Sequence, residues 1–232
     1  MHPLASLPRA WWFSNLNGFR STARATYIRF DLVEQPHVVV AADDLTWLAG
    51  EPEKTEWALN GPEAVPDQAL TVDALDTLAG HLPFPGALRD LAGRADLQRR
   101  LRSATACYFD LGHFVVPTTI PDGYLLHLVS DQQSVRHWLL YLDMHGNQGM
   151  VTTAEPLGFD YSDESEWAAA QAKEVNLDGT NDLEVCADTL SEFLYRFWVE
   201  NELWFALSEQ RPLTGAVQRY AERLPRSADR SS

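Results

Sequence analysis

Three histidines, His113, His127 and His137, and one cysteine, Cys107, fall within a single apolar, strand-forming stretch of the chain. Imidazoles ligate metals and move protons near neutral pH, and a thiol beside an imidazole can act as a nucleophile. Register decides whether these groups meet. A hairpin that pairs Leu126 with Leu140 and Leu128 with Trp138 matches apolar residues across one face. It sets His127 opposite Leu139 and His137 opposite Val129, so the two imidazoles share a face diagonally rather than directly. A metal would want a third ligand, and none stands at diagnostic spacing, so no metal site is expected. Cys107 lies inside the run Cys107-Tyr108-Phe109, where a thiol behaves as a small buried hydrophobe. No catalytic residue is therefore expected. A hydrolase or metal-dependent enzyme using His127, His137 and Cys107 is the alternative.

Other motifs are absent or incomplete. There is no Gly-rich phosphate loop, no G-x-S-x-G elbow and no H-E-x-x-H helix. Asn176, Asp178, Thr180, Asp182 and Glu184 alternate oxygen ligands, but Gly179 falls at the fourth position of a calcium loop, not at the sixth, where the sharp turn is needed. A polar turn is the reading there. Residues 159–167 differ in kind, since carboxylates flank Phe159, Tyr161 and Trp167. That mixture offers electrostatic steering together with aromatic anchors for a protein interface, or a solvated loop whose aromatics tuck onto the sheet.

The elements that must position these residues follow from periodicity. Residues 26–33 alternate as a half-buried strand, and after Gln35-Pro36 the valines at 38–40 suggest its hairpin partner. Residues 55–59 would add a third strand. Thr71 can cap a helix running to about Ala79, with Gly80 after it. Leu88, Leu91, Leu97 and Leu101 mark the apolar face of one or two further helices, with Arg94, Arg99, Arg100 and Arg102 mostly on the outside. Residues 107–109, 114–116, 124–129, 137–142 and 150–153 read as an antiparallel meander whose two long strands are apolar on both faces, as in a sheet covered on each side. Thr189 and Glu192 form a capping box before a long helix carrying Leu190, Phe193, Leu194, Phe197, Trp204 and Phe205, with Glu192 and Arg196 paired on a polar side. The helical pattern weakens after Arg211-Pro212.

Composition narrows the function. The chain has 232 residues, 45% of them hydrophobic and 22% charged, enough for one substantial core. No run approaches the roughly 18 apolar residues of a membrane helix, and residues 1–13 lack the basic flank and apolar run of a secretion signal. Two cysteines make no disulfide scaffold, so a cytoplasmic protein with reduced thiols is expected. Asp and Glu total 33 against 18 Lys and Arg, a net charge of −15. Such a surface disfavours nucleic acid and favours a basic partner, or merely keeps the protein in solution. Between residues 155 and 184 nine acidic residues face one base, Lys173.

Residues 102–111, then 123–133, then 137–142 with a Gly turn before Val151, and finally the phrase Leu190-Ser191-Glu192-Phe193-Leu194, come in an order that resembles the SUKH superfamily, which includes the Smi and Knr proteins of fungi. The resemblance covers about residues 70–207. It implies an α+β fold, a β-sheet meander flanked by helices, without a catalytic residue set or cofactor. The chain would then comprise an N-terminal β-rich segment over 1–66, which departs from the family pattern and is either an added layer or a distinct module. A SUKH-like domain over 67–211 and a tail over 212–232 would follow. Many bacterial members of the superfamily are immunity proteins that neutralise toxins by binding them. The resemblance thus implies a non-enzymatic module for a basic toxin domain, such as a nuclease, with a general regulatory scaffold as another reading. The interface candidates are Asp131, Gln132 and Gln133 at the hairpin and Asp160, Tyr161, Asp163, Glu164, Glu166 and Trp167 in the acidic segment.

Overall fold

A computed structural model of the chain describes residues 2–21, 23, 25–41, 44–60, 70–73, 82–111, 115–155, 157, 174–178 and 182–225. The fold is α+β, with antiparallel sheets and five α-helices among the described residues. The strands are β1 (Ala10–Phe13), β2 (Ile28–Asp31), β3 (Cys107–Phe109), β4 (Val115–Pro117), β5 (Gly123–Asp131), β6 (His137–Asp143), β7 (Gln148–Thr153) and β8 (Glu184–Ala187). The helices are α1 (Thr46–Ala49), α2 (Gly86–Gly93), α3 (Ala95–Gln98), α4 (Leu190–Ser208) and α5 (Gly215–Arg223). The main sheet runs β3-β5-β6-β7-β8, and β4 joins the same edge of β5 as β3 but further along it. The meander expected over 107–153 is this sheet.

All seven residues of β6 are buried, because both faces of the sheet are covered. Trp138, Leu140 and Leu142 pack with Phe193, Phe197 and Leu203 of α4, whereas Leu139 and Tyr141 join Leu4, Leu7, Val175, Leu177 and Leu183 on the opposite face. The long helix starts where its cap requires. Thr189 Oγ1 accepts from the Glu192 N–H at 3.1 Å. The Glu192 carboxylate returns to the N–H of Asp188 at 3.1 Å, one residue earlier than a capping box needs.

The N-terminal strands pair otherwise than expected. β2 pairs with β1 and not with residues 38–40. Trp11 and Phe13 enter the same apolar cluster as α4 and offer β2 a well-anchored partner, while Val39 is 82% exposed and anchors nothing. Residues 32–34 turn instead into a 3-10 helix whose N–H at Val33 is capped by the Asp31 side chain at 2.9 Å. Residues 55–59 form no strand and contribute one isolated bridge, Ala58 to Arg102. Leu88, Leu91, Leu97 and Leu101 are buried on and after α2 and α3 as expected. Part of the expected tail is a helix: α5 packs on α4 and buries Tyr220. The expected cap-to-cap helix over 71–80 lies largely outside the described residues.

Each edge strand of the main sheet carries another segment. Val185 of β8 donates to the Pro8 carbonyl at 2.8 Å, and Val175 donates to the Pro117 carbonyl of β4 at 2.9 Å. Phe109 of β3 donates to the Leu59 carbonyl at 3.4 Å.

The polar side expected on α4 is enclosed. Fourteen of its 19 residues are buried, so its charges need internal partners. Glu200, fully buried, accepts from Trp11 Nε1 at 2.8 Å, from Arg20 Nη1 at 2.8 Å and from the Tyr220 hydroxyl at 2.6 Å. Arg20 lies over the Phe30 ring at 3.6 Å and also donates to the Gln35 side chain. Arg196 makes the expected pair with Glu192, at 3.7 Å, but the side on which it lies is enclosed: it is buried and donates to the Tyr220 hydroxyl at 3.3 Å. Two residues beyond Glu200, Glu202 receives Arg102 through two bonds of 2.8 Å and Lys54 at 3.1 Å. Removing one member of a buried pair strands the other charge, which costs about 3–5 kcal/mol. Glu200→Gln and Arg20→Met should each lose stability on that scale, read as a lower urea midpoint at unchanged slope. Arg94→Ala, which breaks the solvent-facing Arg94–Asp96 pair, should leave the midpoint in place.

Candidate functional site

The expected β5–β6 register holds for half the hairpin. Leu126 faces Leu140 and His127 faces Leu139, but a β-bulge at Leu128 then sets Val129 against Trp138 and Ser130 against His137. Side chains alternate along a strand, so His127 follows Leu125 onto the face opposite α4. His137 stands on that face too, in step with Leu139 and Tyr141. The bulge adds one residue, which leaves both Leu128 and Val129 in the α4 cluster and turns Ser130 onto the histidine face. The bulged strand also aims the Leu128 carbonyl at the Asp110 N–H, 2.9 Å away, and so holds Asp110 just beyond β3 beside both histidines.

Asp110, His127 and His137 therefore converge. One donor atom from each lies within 4.8 Å of the other two, and the imidazole rings are 5.7 Å apart, edge to face. The sequence supplied two of these residues. Asp110 carried no spacing signal, because it is brought in by strand pairing and not by a motif. His127 Nε2 is 2.8 Å from the Leu157 carbonyl, which can only accept, so that nitrogen carries a proton. His127 Nδ1 then faces Asp110 Oδ2 at 3.6 Å. Ser130 gives its hydroxyl hydrogen to Asp110 Oδ2 at 2.5 Å and can only accept from His137 Nδ1 at 2.8 Å. That places the His137 lone pair on Nε2, which is buried and has no hydrogen-bond partner among the described residues. Burial pushes the Asp110 carboxyl up, but the His127 imidazole and the Ser130 hydroxyl outweigh it and hold the group below the usual carboxylate range. Burial, with His127 alongside, holds His137 below the ordinary imidazole range.

Cys107 does not join them. It belongs to the α4 cluster, on the other face, where Tyr27 and Thr105 reach its sulfur at 3.5 and 3.3 Å. Burial drives its thiol upward, away from the thiolate a nucleophile requires. The trio His127, His137 and Cys107 is thus divided by the sheet. Of the calcium-like run, Gly179 and Thr180 lie outside the described residues, and its last two carboxylates are engaged apart. Asp182 accepts from the Ala154 N–H at 2.6 Å, while Glu184 sits in β8 and pairs with Arg29 at 2.6 Å. His113 lies outside the described residues.

Comparison of the chain with protein families, with curated proteins and with solved structures finds no match. The site must be read from its own residues.

At the hairpin the three interface candidates differ. Asp131 is 2% exposed. Its Oδ1 accepts from the Gln133 N–H at 2.8 Å, shaping the turn, and its Oδ2 accepts from the Tyr27 hydroxyl at 2.7 Å. Gln132 and Gln133 are exposed at the tip. Asp160, Tyr161, Asp163, Glu164, Glu166 and Trp167 lie outside the described residues. Behind the tip, Arg136 is buried with its guanidinium over the Trp12 ring at 3.8 Å, and Trp12 Nε1 donates to Glu184. Asp131→Ala should therefore lower stability by about 1–3 kcal/mol, since the Tyr27 hydroxyl loses one of its two acceptors and the Gln133 and Val135 N–H groups lose theirs. Replacing Gln132 and Gln133 by Ala should shift it by less than about 0.5 kcal/mol, both read by thermal or urea unfolding.

Proposed function

We propose that the chain is a non-enzymatic protein-binding module, working in the cytoplasm, that neutralises a basic partner such as a nuclease toxin by covering it. The observation that supports this reading is how its charge is allocated. Among the described residues, ten basic side chains are held in ion pairs by eight carboxylates. Several of these pairs are buried or half-buried and cement the fold, as Arg20, Lys54, Arg102 and Arg196 do around α4. The charge outside these pairs is more one-sided than the total of 33 acids to 18 bases. Exposed carboxylates such as Glu34, Glu56, Asp90, Asp122, Glu155 and Glu174 face solvent, and the sequence places nine acidic residues between 155 and 184.

A surface of one sign raises the encounter rate with a partner of the other sign and repels phosphate backbones. Carboxylates presented to a nuclease would lie where substrate phosphates lie. The resemblance to SUKH proteins, many of them immunity proteins, supports the same assignment. The acidic segment supplies the steering charge in this reading, with Tyr161 and Trp167 as anchors and Gln132 and Gln133 as further polar contacts.

The test begins with capture of the partner on immobilised full-length chain, identified by mass spectrometry. Association kinetics with that partner are then measured across a salt series. Neutralising Asp160, Asp163, Glu164 and Glu166 together should slow association about tenfold or more at low ionic strength and flatten its salt dependence. An unchanged salt slope, or a captured partner whose contact face is acidic, overturns the proposal.

A further inference from the structure

The Asp110–His127–His137 cluster gathers three possible ligand atoms that the protein-binding reading does not use. The Leu157 carbonyl holds a proton of His127 on Nε2, and Nδ1 of the same ring lies 3.6 Å from Asp110 Oδ2. The Ser130 hydroxyl fixes the proton of His137 on Nδ1, which leaves a lone pair on buried Nε2. Three possible ligand atoms thus sit together, two of them on side chains at most 4% exposed. Ligand atoms so placed attract a positive charge, which a metal ion can supply.

We infer that Asp110, His127 and His137 bind a divalent transition-metal ion of the zinc class. Two imidazole nitrogens and a carboxylate oxygen are a donor set that suits zinc and its neighbours, and that hard calcium or magnesium would not select. The spacing fits. Tetrahedral bonds of about 2.0–2.2 Å set ligand atoms roughly 3.3 Å apart. His127 Nδ1 and Asp110 Oδ2 are already at 3.6 Å, and the full set lies within 4.8 Å before any ion draws it in. The outer atoms fit too. Ligating histidines characteristically give their other ring N–H to a carbonyl or polar group that fixes the ring, and here Leu157 and Ser130 fill those roles.

The ion would clasp the end of β3 to β5 and β6 and to the segment at Leu157. Asp110, its side chain 13% exposed, is the member of the cluster most open to solvent, and a water could complete the coordination there. The ion would act by binding the folded state, so stability should rise with metal concentration.

The experiment uses the full chain after exhaustive chelation, titrated with Zn2+ and with Co2+ as a coloured probe. The expected result is one saturable equivalent, a Co2+ visible absorption band of tetrahedral nitrogen–oxygen type, and a melting temperature that climbs with Zn2+. His137→Gln and Asp110→Asn should remove the band. Ser130→Ala keeps all three ligands but loosens two of them, and should weaken binding about tenfold to a hundredfold. Ring 15N shifts of His127 and His137 in the unmutated chain keep the question open to decision if variants fail to fold. Movement of the His127 Nδ1 and His137 Nε2 signals with one equivalent of Zn2+ supports the site. Absence of stoichiometric binding, binding equal in all three variants, or a His127 ring protonated on both nitrogens and indifferent to Zn2+ overturns it.

Discussion

The carboxylate of Glu200 is the constraint around which the rest is arranged. It lies in the middle of the long helix, sealed from water, and cannot remain ionised there without donors. Its three donors come from three separate parts of the chain: Trp11 on the first strand, Arg20 in the following turn and Tyr220 on the last helix. Satisfying one buried charge thus specifies where the N-terminal layer and the C-terminal helix must dock. Apolar packing alone would permit those elements to slide, whereas three convergent hydrogen bonds do not. The neighbouring turn repeats the device with Asn201 and Glu202, which hold the backbone at Ala104 and the side chains of Arg102 and Lys54.

This arrangement explains which parts of the molecule could be read from the chain. The meander and the long helix were legible because their signals are local: runs of apolar residues bounded by turns, and Thr189 three residues before Glu192. The hairpin of the N-terminal layer was not, because Trp11 and Trp12 in sequence hide the alternation that sends one ring to the core and the other outward. The valines at 38–40 looked like a better strand and form none. Arg196 read as part of a polar side with Glu192, and nothing local marked Glu200 and Glu202 as buried, since partners of Glu200 lie up to 189 residues away.

The histidine site was half legible for a related reason. Pattern matching across the hairpin predicted the pairs up to His127 and Leu139, and a single extra residue at Leu128 displaced the remainder. That displacement is what brings Ser130 to the histidine face and gives Asp110 its backbone anchor. Periodicity cannot announce a bulge in a strand that is apolar on both faces, because neither placement of the extra residue exposes anything. The acidic surface and the buried polar cluster are therefore different in origin. One is visible in composition, and the other exists only through tertiary register.

The covered edges of the main sheet bear on how any macromolecule could engage this protein. Strand addition, in which an extended peptide continues a ladder of main-chain bonds, needs a row of open amide and carbonyl groups. Pro8, Val175 and Leu59 occupy such positions beside β8, β4 and β3. At those places the backbone is already spoken for, which also guards against fibril-like stacking of one copy on another. Recognition there has to proceed through side chains and loops, and its selectivity must come from their shape and charge.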